Sequence, residues 1–150
     1  MKLNIKRFQE LTLDELYAIL WLRVSVFVVE QNCPYMELDN LDQNALHIWL
    51  EDDSGIVAYL RLIDRDPKQR LVSIGRVISV KRRCGIGSSI LAEGIKAARK
   101  TFDADKIYLE AQTHAIGLYE KQGFRQISDE FLLDGIPHVE MILELNQQSD

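Results

Sequence analysis

Residues 71–91 read L-V-S-I-G-R-V-I-S-V, then K-R-R-C, then G-I-G-S-S-I-L. A β-rich run meets three consecutive cations, Lys81, Arg82 and Arg83, and then Gly85 and Gly87 with one residue between them. Glycine lets a backbone turn tightly and approach a ligand with no Cβ in the way. The first amides of a following helix lack internal partners and sit at the positive end of its dipole. Strand, glycine turn and helix start together make a phosphate site. The stretch is not a Walker A loop, because G-x-x-x-x-G-K-[ST] is absent. It is not a dinucleotide fingerprint either, because the third glycine position holds Ile90. Without a ligand, the same residues would be a basic loop with a glycine-aided helix start.

Other side chains could serve chemistry. Glu30, Glu37, Asp39 and Asp42 gather around one connection. They would suit a cationic amine, or they form a solvated acidic loop. Glu30 could also pair with Arg23 or Arg76. His114 and His138 titrate near neutrality when unperturbed and could relay a proton; each could equally be a satisfied structural side chain. The three scattered histidines and two distant cysteines, Cys33 and Cys84, have no metal-ligand spacing. The cysteines form no C-x-x-C pair and are too few for a disulfide scaffold, as in a reduced compartment.

The elements that must position these groups follow from periodicity. Residues 3–8 suit a short strand. Thr12 and Glu15 have capping-box spacing, with Leu11 and Leu16 as a hydrophobic staple. Apolar residues at Leu13, Leu16, Tyr17, Leu20, Val24, Phe27 and Val28 keep helical intervals, and the helix stops before Pro34. Residues 34–44 read as an acidic, turn-rich connection. Residues 45–51 and 56–63 form a hairpin around D-D-S-G. Residues 64–70 read as a charged loop and 71–80 as a third long strand, in which Gly75 suggests a bulge. A helix over 85–102, a strand over 106–111 and a helix over 114–122 ending at Gly123 follow. The remainder reads as two strands joined near Asp134-Gly135, with a frayed tail. The order β-α-β-β-β-α-β-α-β-β predicts one mixed α/β (α+β) domain over 1–150.

Composition bounds the partners. The chain has 150 residues, 47% of them hydrophobic and 27% charged, which is a globular composition. Its formal net charge is −5, from 18 basic and 23 acidic residues, which argues against nucleic acid. No apolar run approaches the ~18–20 residues that span a bilayer, and the N-terminus has no signal core. A cytoplasmic protein with no membrane partner is expected.

At R-R-C-G-I-G (82–87) the chain resembles the Q/R-x-x-G-x-G/A acetyl-CoA motif of the GNAT N-acetyltransferases. A-I-G-L-Y-E-K-Q-G-F (115–124) is similar to that family's second signature, in the right order. Further segments resemble its ElaA-like branch: L-R-V-S-V-F-V-V-E-Q-N-C-P-Y (22–35), E-L-D-N-L-D (37–42), I-G-R-V (74–77), A-Q-T-H-A (111–115) and D-G-I-P-H-V-E-M (134–141). The resemblance implies the GNAT acyl-CoA N-acyltransferase fold, a mixed, largely antiparallel twisted sheet of about six or seven strands flanked by helices. It implies acetyl transfer from acetyl-CoA to an amine by direct attack in a ternary complex, with no metal.

The same resemblance implies the roles. Backbone groups of Val77, Ile78, Ser79 and Val80 would pair with the pantetheine arm, and Gln112 would offer it an amide. Arg82, Arg83, Gly85, Ile86, Gly87 and Ser88 would hold the pyrophosphate. The strand carrying 77–80 and the strand over 106–111 would splay apart around the thioester. Tyr119 would be the general acid near the CoA sulfur. The strand over 71–78 has no carboxylate, so Glu110 is the first candidate base, followed by His114 and His138. Glu30, Tyr35, Asp39, Arg76 and His138 are the acceptor-side candidates. The acceptor would be a small-molecule or peptide amine, and a homodimer is plausible for the family. The alternatives are a non-catalytic acyl-CoA-binding or sensing module on the same fold, or a small interaction domain unrelated to CoA.

Overall fold

A computed structural model describes residues 1–80 and 85–145. Thr12 starts the first helix as its spacing predicts. Its hydroxyl accepts the Glu15 amide at 3.0 Å, and the Glu15 carboxylate accepts the Thr12 amide at 2.9 Å, a reciprocal capping box. Helix α1 runs Leu13–Val24. The periodicity predicts that it continues to Val28, but the structure widens it into a π-helical segment over Ser25–Glu30. Widening rotates the faces that follow. Phe27 packs beside Trp49 and Tyr59, while Val29 turns outward.

The strands are β1 (Lys2–Arg7), β2 (Leu46–Asp52), β3 (Gly55–Asp66), β4 (Leu71–Ser79), β5 (Lys106–Gln112), β6 (Arg125–Gln126), β7 (Phe131–Leu133) and β8 (Ile136–Glu144). Helix α2 is Ile86–Phe102 and α3 is Ile116–Glu120. Strand β3 outruns the expected loop because Asp64 and Asp66 still pair with Val72 and Leu71. The helix expected over 114–122 is a 3-10 turn, Thr113–Ala115, followed by the short α3. The last segment forms three strands rather than two. Asp134 and Gly135, both at positive φ, make the two-residue turn between β7 and β8.

Among the described residues the sheet has eight strands, ordered β1-β2-β3-β4-β5-β8-β6, with β7 also paired to β8. The β4–β5 pair is parallel and the other pairs are antiparallel. The expected six or seven strands fall short because the C-terminal run is divided.

Helices cover both faces, so the central strands are buried on both. Leu46, Ile48 and Leu50 of β2 pack with Ile90, Leu91 and Ala98 of α2. Trp49 of β2 points the other way and packs with Ile19 of α1 and Tyr59 of β3. Helix α2 lies close on the sheet at Gly94, where a Cβ would stand 2.9 Å from Leu60 Cδ2. No helix of the described residues is long and apolar enough to cross a membrane.

Candidate active site

Strand β4 departs from regular geometry twice, and both departures shape one cleft. Its pairing with β3 shifts register between Tyr59↔Ile78 and Arg61↔Gly75, so β4 carries an extra residue there. Gly75 signals this bulge in the sequence, but the left-handed residue is Arg76, at φ 54°. The second departure is toward β5. The two strands pair only at Leu71↔Lys106, Val72↔Ile107 and Ser73↔Tyr108. Beyond Ser73 they part, while β5 stays paired with β8 through Gln112↔His138.

The wedge is a cleft of about 770 Å³, a size that accepts a small organic ligand. Ile74–Val80 line one wall, and Leu109, Glu110 and Gln112 line the other. The π-helical segment contributes Ser25, Val26, Phe27 and Glu30, and Tyr35, His114, Tyr119 and His138 also line the cleft. Val77, Ile78, Ser79, Val80, Arg76, Glu30, Tyr35, Glu110, Gln112, His114, Tyr119 and His138 therefore meet around one space. Asp39 does not line it. Gly85, Ile86, Gly87 and Ser88 are not in the lining either; they start α2, next to the end of β4. A Cβ at Gly87 would stand 3.8 Å from Ser79 Cβ. Gly85 enters at φ 73°, and among the described residues the first amide to bond back is Ser89, to Gly85 O at 3.0 Å. The amides of Ile86, Gly87 and Ser88 precede that bond. Arg82, Arg83 and Lys81 lie outside the described residues.

Tyr119 is 7% exposed and edge-on to Phe124. Among the described residues its hydroxyl has no hydrogen-bond partner, and burial pushes its pKa up to about 12. It therefore stays protonated across the neutral range. The Tyr108 hydroxyl donates its one proton to Glu140 Oε2 at 2.5 Å and lies 3.2 Å from Glu110 Oε2. Burial and the Glu140 hydrogen bond raise the Tyr108 pKa. His114 is exposed, and its Nε2 donates to Gln112 Oε1 at 2.8 Å. Gln112 in turn donates to Gln31 Oε1 at 3.4 Å. His138 is buried, with Nδ1 2.7 Å from the Ile136 carbonyl oxygen. A carbonyl only accepts, so Nδ1 carries the proton, and Nε2 is the basic nitrogen of the neutral ring.

The acidic connection turns out to be a buried ion network. Arg23 Nε donates to Glu37 Oε2 at 2.9 Å and Arg23 Nη1 to Asp42 Oδ1 at 2.6 Å. Arg61 Nη1 donates to Asp39 Oδ1 and to Asp42 Oδ1, each at 2.9 Å. Arg76 Nε bonds the same Glu37 Oε2. Glu30 pairs with neither Arg23 nor Arg76, because Glu37 holds both. Burial pushes the Asp39 carboxyl up, but Arg61 beside it outweighs that and leaves it at about 2. His47 completes the network from below. Its Nε2 donates to Asp42 O at 3.0 Å and its Nδ1 accepts from Tyr59 Oη at 2.7 Å. Burial lowers its pKa, so it is neutral. The sequence reading names Arg23 with the wrong partner and misses Arg61, His47 and Tyr59. Their signal is a polar residue inside an apolar run, as in L-R-V, L-R-L and L-H-I.

A cleft opened by two parting strands, beside a glycine-led helix start, is the arrangement of the acyltransferase fold that draws on CoA conjugates. The model of the acetyltransferase (GNAT) domain matches residues 20–145, and the chain belongs to that family. Within it the chain is ElaA-like. A crystal structure of Escherichia coli ElaA superposes with a TM-score of 0.89 at 33% identity, covering 95% of this chain and 99% of that one. An acyl-CoA N-acyltransferase from Pseudomonas aeruginosa superposes with a TM-score of 0.86 at 39% identity, with the same coverage. A UPF0039 protein of Schizosaccharomyces pombe is 42% identical over 93% of this chain and 95% of its own length.

Proposed function

We propose that this protein transfers an acetyl group from acetyl-CoA to an amine by direct attack. The carrying observation is the wedge between β4 and β5, with Tyr119 lining it. The residues fit the co-substrate. Val77–Val80 offer strand backbone along the wedge, to which an extended pantetheine arm pairs as a neighbouring strand would, and Gln112 faces it from β5. The amides of Gly85–Ser88 bind the pyrophosphate, and Arg82 and Arg83 just before them in the sequence add charge.

In the transfer, the acceptor nitrogen bonds to the acetyl carbonyl carbon and the carbon–sulfur bond breaks. Tyr119 gives its proton to the leaving sulfur. The amine's proton goes to a base of the cleft. His138 leads here, since its Nδ1 proton is tied to Ile136 and its Nε2 is the accepting nitrogen. Glu110 and His114 are the other candidates. Glu30 and Tyr35, both in the cleft lining, would face the acceptor, and the Glu30 carboxylate would favour a cationic amine. Asp39 leaves that group, because Arg61 takes its carboxylate.

A panel of amines with acetyl-CoA, read by free-thiol detection, tests the proposal. CoA release dependent on an amine is the expected result. Acetyl-CoA binding with no release across small polyamines, peptide N-termini and lysines would overturn it in favour of a non-catalytic binding module, a reading that rests on the lack of a carboxylate in β4.

A further inference from the structure

Six non-glycine residues have positive φ among those described. Asn32, Asn40, Arg70, Asp103 and Asp134 stand in loops, turns or helix ends. Arg76, at φ 54°, stands inside strand β4. In that conformation a Cβ crowds the following carbonyl oxygen, so an arginine there is strained. Strain of this kind persists only where the surroundings hold it.

The holder is Glu37. Its carboxylate accepts from Arg76 Nε, and its backbone oxygen accepts from Arg76 Nη2 at 2.9 Å. Arg76 Nη2 also reaches Asp39 Oδ2 at 3.4 Å, and the Tyr35 ring lies 5.8 Å from the guanidinium carbon. Glu37 cannot follow Arg76 if the strand relaxes. It is 2% exposed and anchored by Arg23, which is fully buried. The grip therefore runs from the buried network into the cleft wall, at the point where the β3–β4 register shifts.

We infer that Arg76 is a positioning residue: latched by Glu37, it holds β4 in the bulged conformation that presents residues 77–80 to the ligand. The inference rests on the reading that those residues bind the CoA arm. It differs from a direct acceptor contact because it requires the backbone conformation, not the charge, at position 76.

Two substitutions separate these roles. Both remove the latch, but glycine accepts positive φ freely and alanine does not. Arg76→Gly is expected to bind CoA within about twofold of the parent by calorimetry, and Arg76→Ala on the order of tenfold more weakly. Thermal unfolding of each variant sets a binding temperature at which it is folded. The same contrast is expected without ligand in the hydrogen exchange of the Val80 amide, which bonds Val57 O at 2.8 Å beside the bulge. Exchange there is expected to quicken on the order of tenfold in Arg76→Ala and to hold in Arg76→Gly. If the two variants match each other in exchange, whether both hold or both quicken, the latch is overturned. If the parent protein binds no CoA, the reading of the site falls, and the exchange rates still decide the latch.

Discussion

Tyr119 is the side chain on which turnover depends most in the proposed reaction. Its side chain is 7% exposed and protonated, and its hydroxyl has no hydrogen-bond partner among the described residues. Tyr119→Phe is expected to lower kcat roughly a hundredfold, as loss of a positioned acid does, and to leave CoA binding within about twofold in calorimetry. Weakened binding with kcat intact would make it a packing residue. Asp39 governs a different property. Its folded pKa of about 2 lies below the ordinary value of about 3.9. A depressed carboxyl contributes stability that is present above the unfolded pKa and is lost as pH falls through the folded one. Asp42 is shifted in the same direction by Arg23 and Arg61 against the effect of burial. Urea midpoints are therefore expected to fall as pH drops from about 4 to about 2. In Asp39→Asn that fall is expected to be shallower, from a lower starting point.

At the scale of elements, helix α2 and strand β3 meet without clearance. A Cβ at Gly94 would stand 2.9 Å and 3.2 Å from the two methyl carbons of Leu60, which is fully buried. Gly94→Val is expected to destabilise the fold by about 1–3 kcal/mol through overpacking. That corresponds to a Tm loss of several degrees in a chain of this length, measurable by thermal unfolding. A neutral result would mean that Leu60 repacks. Helix α1 shows the opposite behaviour. Its capping box is ordinary at one end, while its far end loosens into the π-helical segment that walls the cleft.

For the whole molecule, local patterns were the legible part. Thr12 and Glu15 announced a helix start, Asp134-Gly135 a hairpin, and Gly85 and Gly87 a helix entrance. The two family signatures carried the fold and the place of the cleft. What stayed hidden depends on partners distant in sequence. Nothing near Glu37 indicates that Arg23 and Arg76 converge on it, and nothing in S-V-F-V-V-E separates a π-helical segment from an α-helix. The acidic connection reads in sequence as a solvated loop or an amine site, because charge is usually solvated; three guanidinium groups from other elements draw Glu37 and Asp42 inside.

The short contact between β4 and β5 also has a mechanical meaning. Among the described residues, the strand ladder joins β1–β4 to β5–β8 only at Leu71–Ser73 and Lys106–Tyr108, with the Arg70 carbonyl beside it accepting from the Asp105 and Lys106 amides. In form the sheet is a zipper closed at one end, two paired plates with an open mouth between them. A molecule bonded to both plates in that mouth acts as a tie bar. Its arrival would register at the outer edges β1 and β6 as added stiffness, with little change of shape.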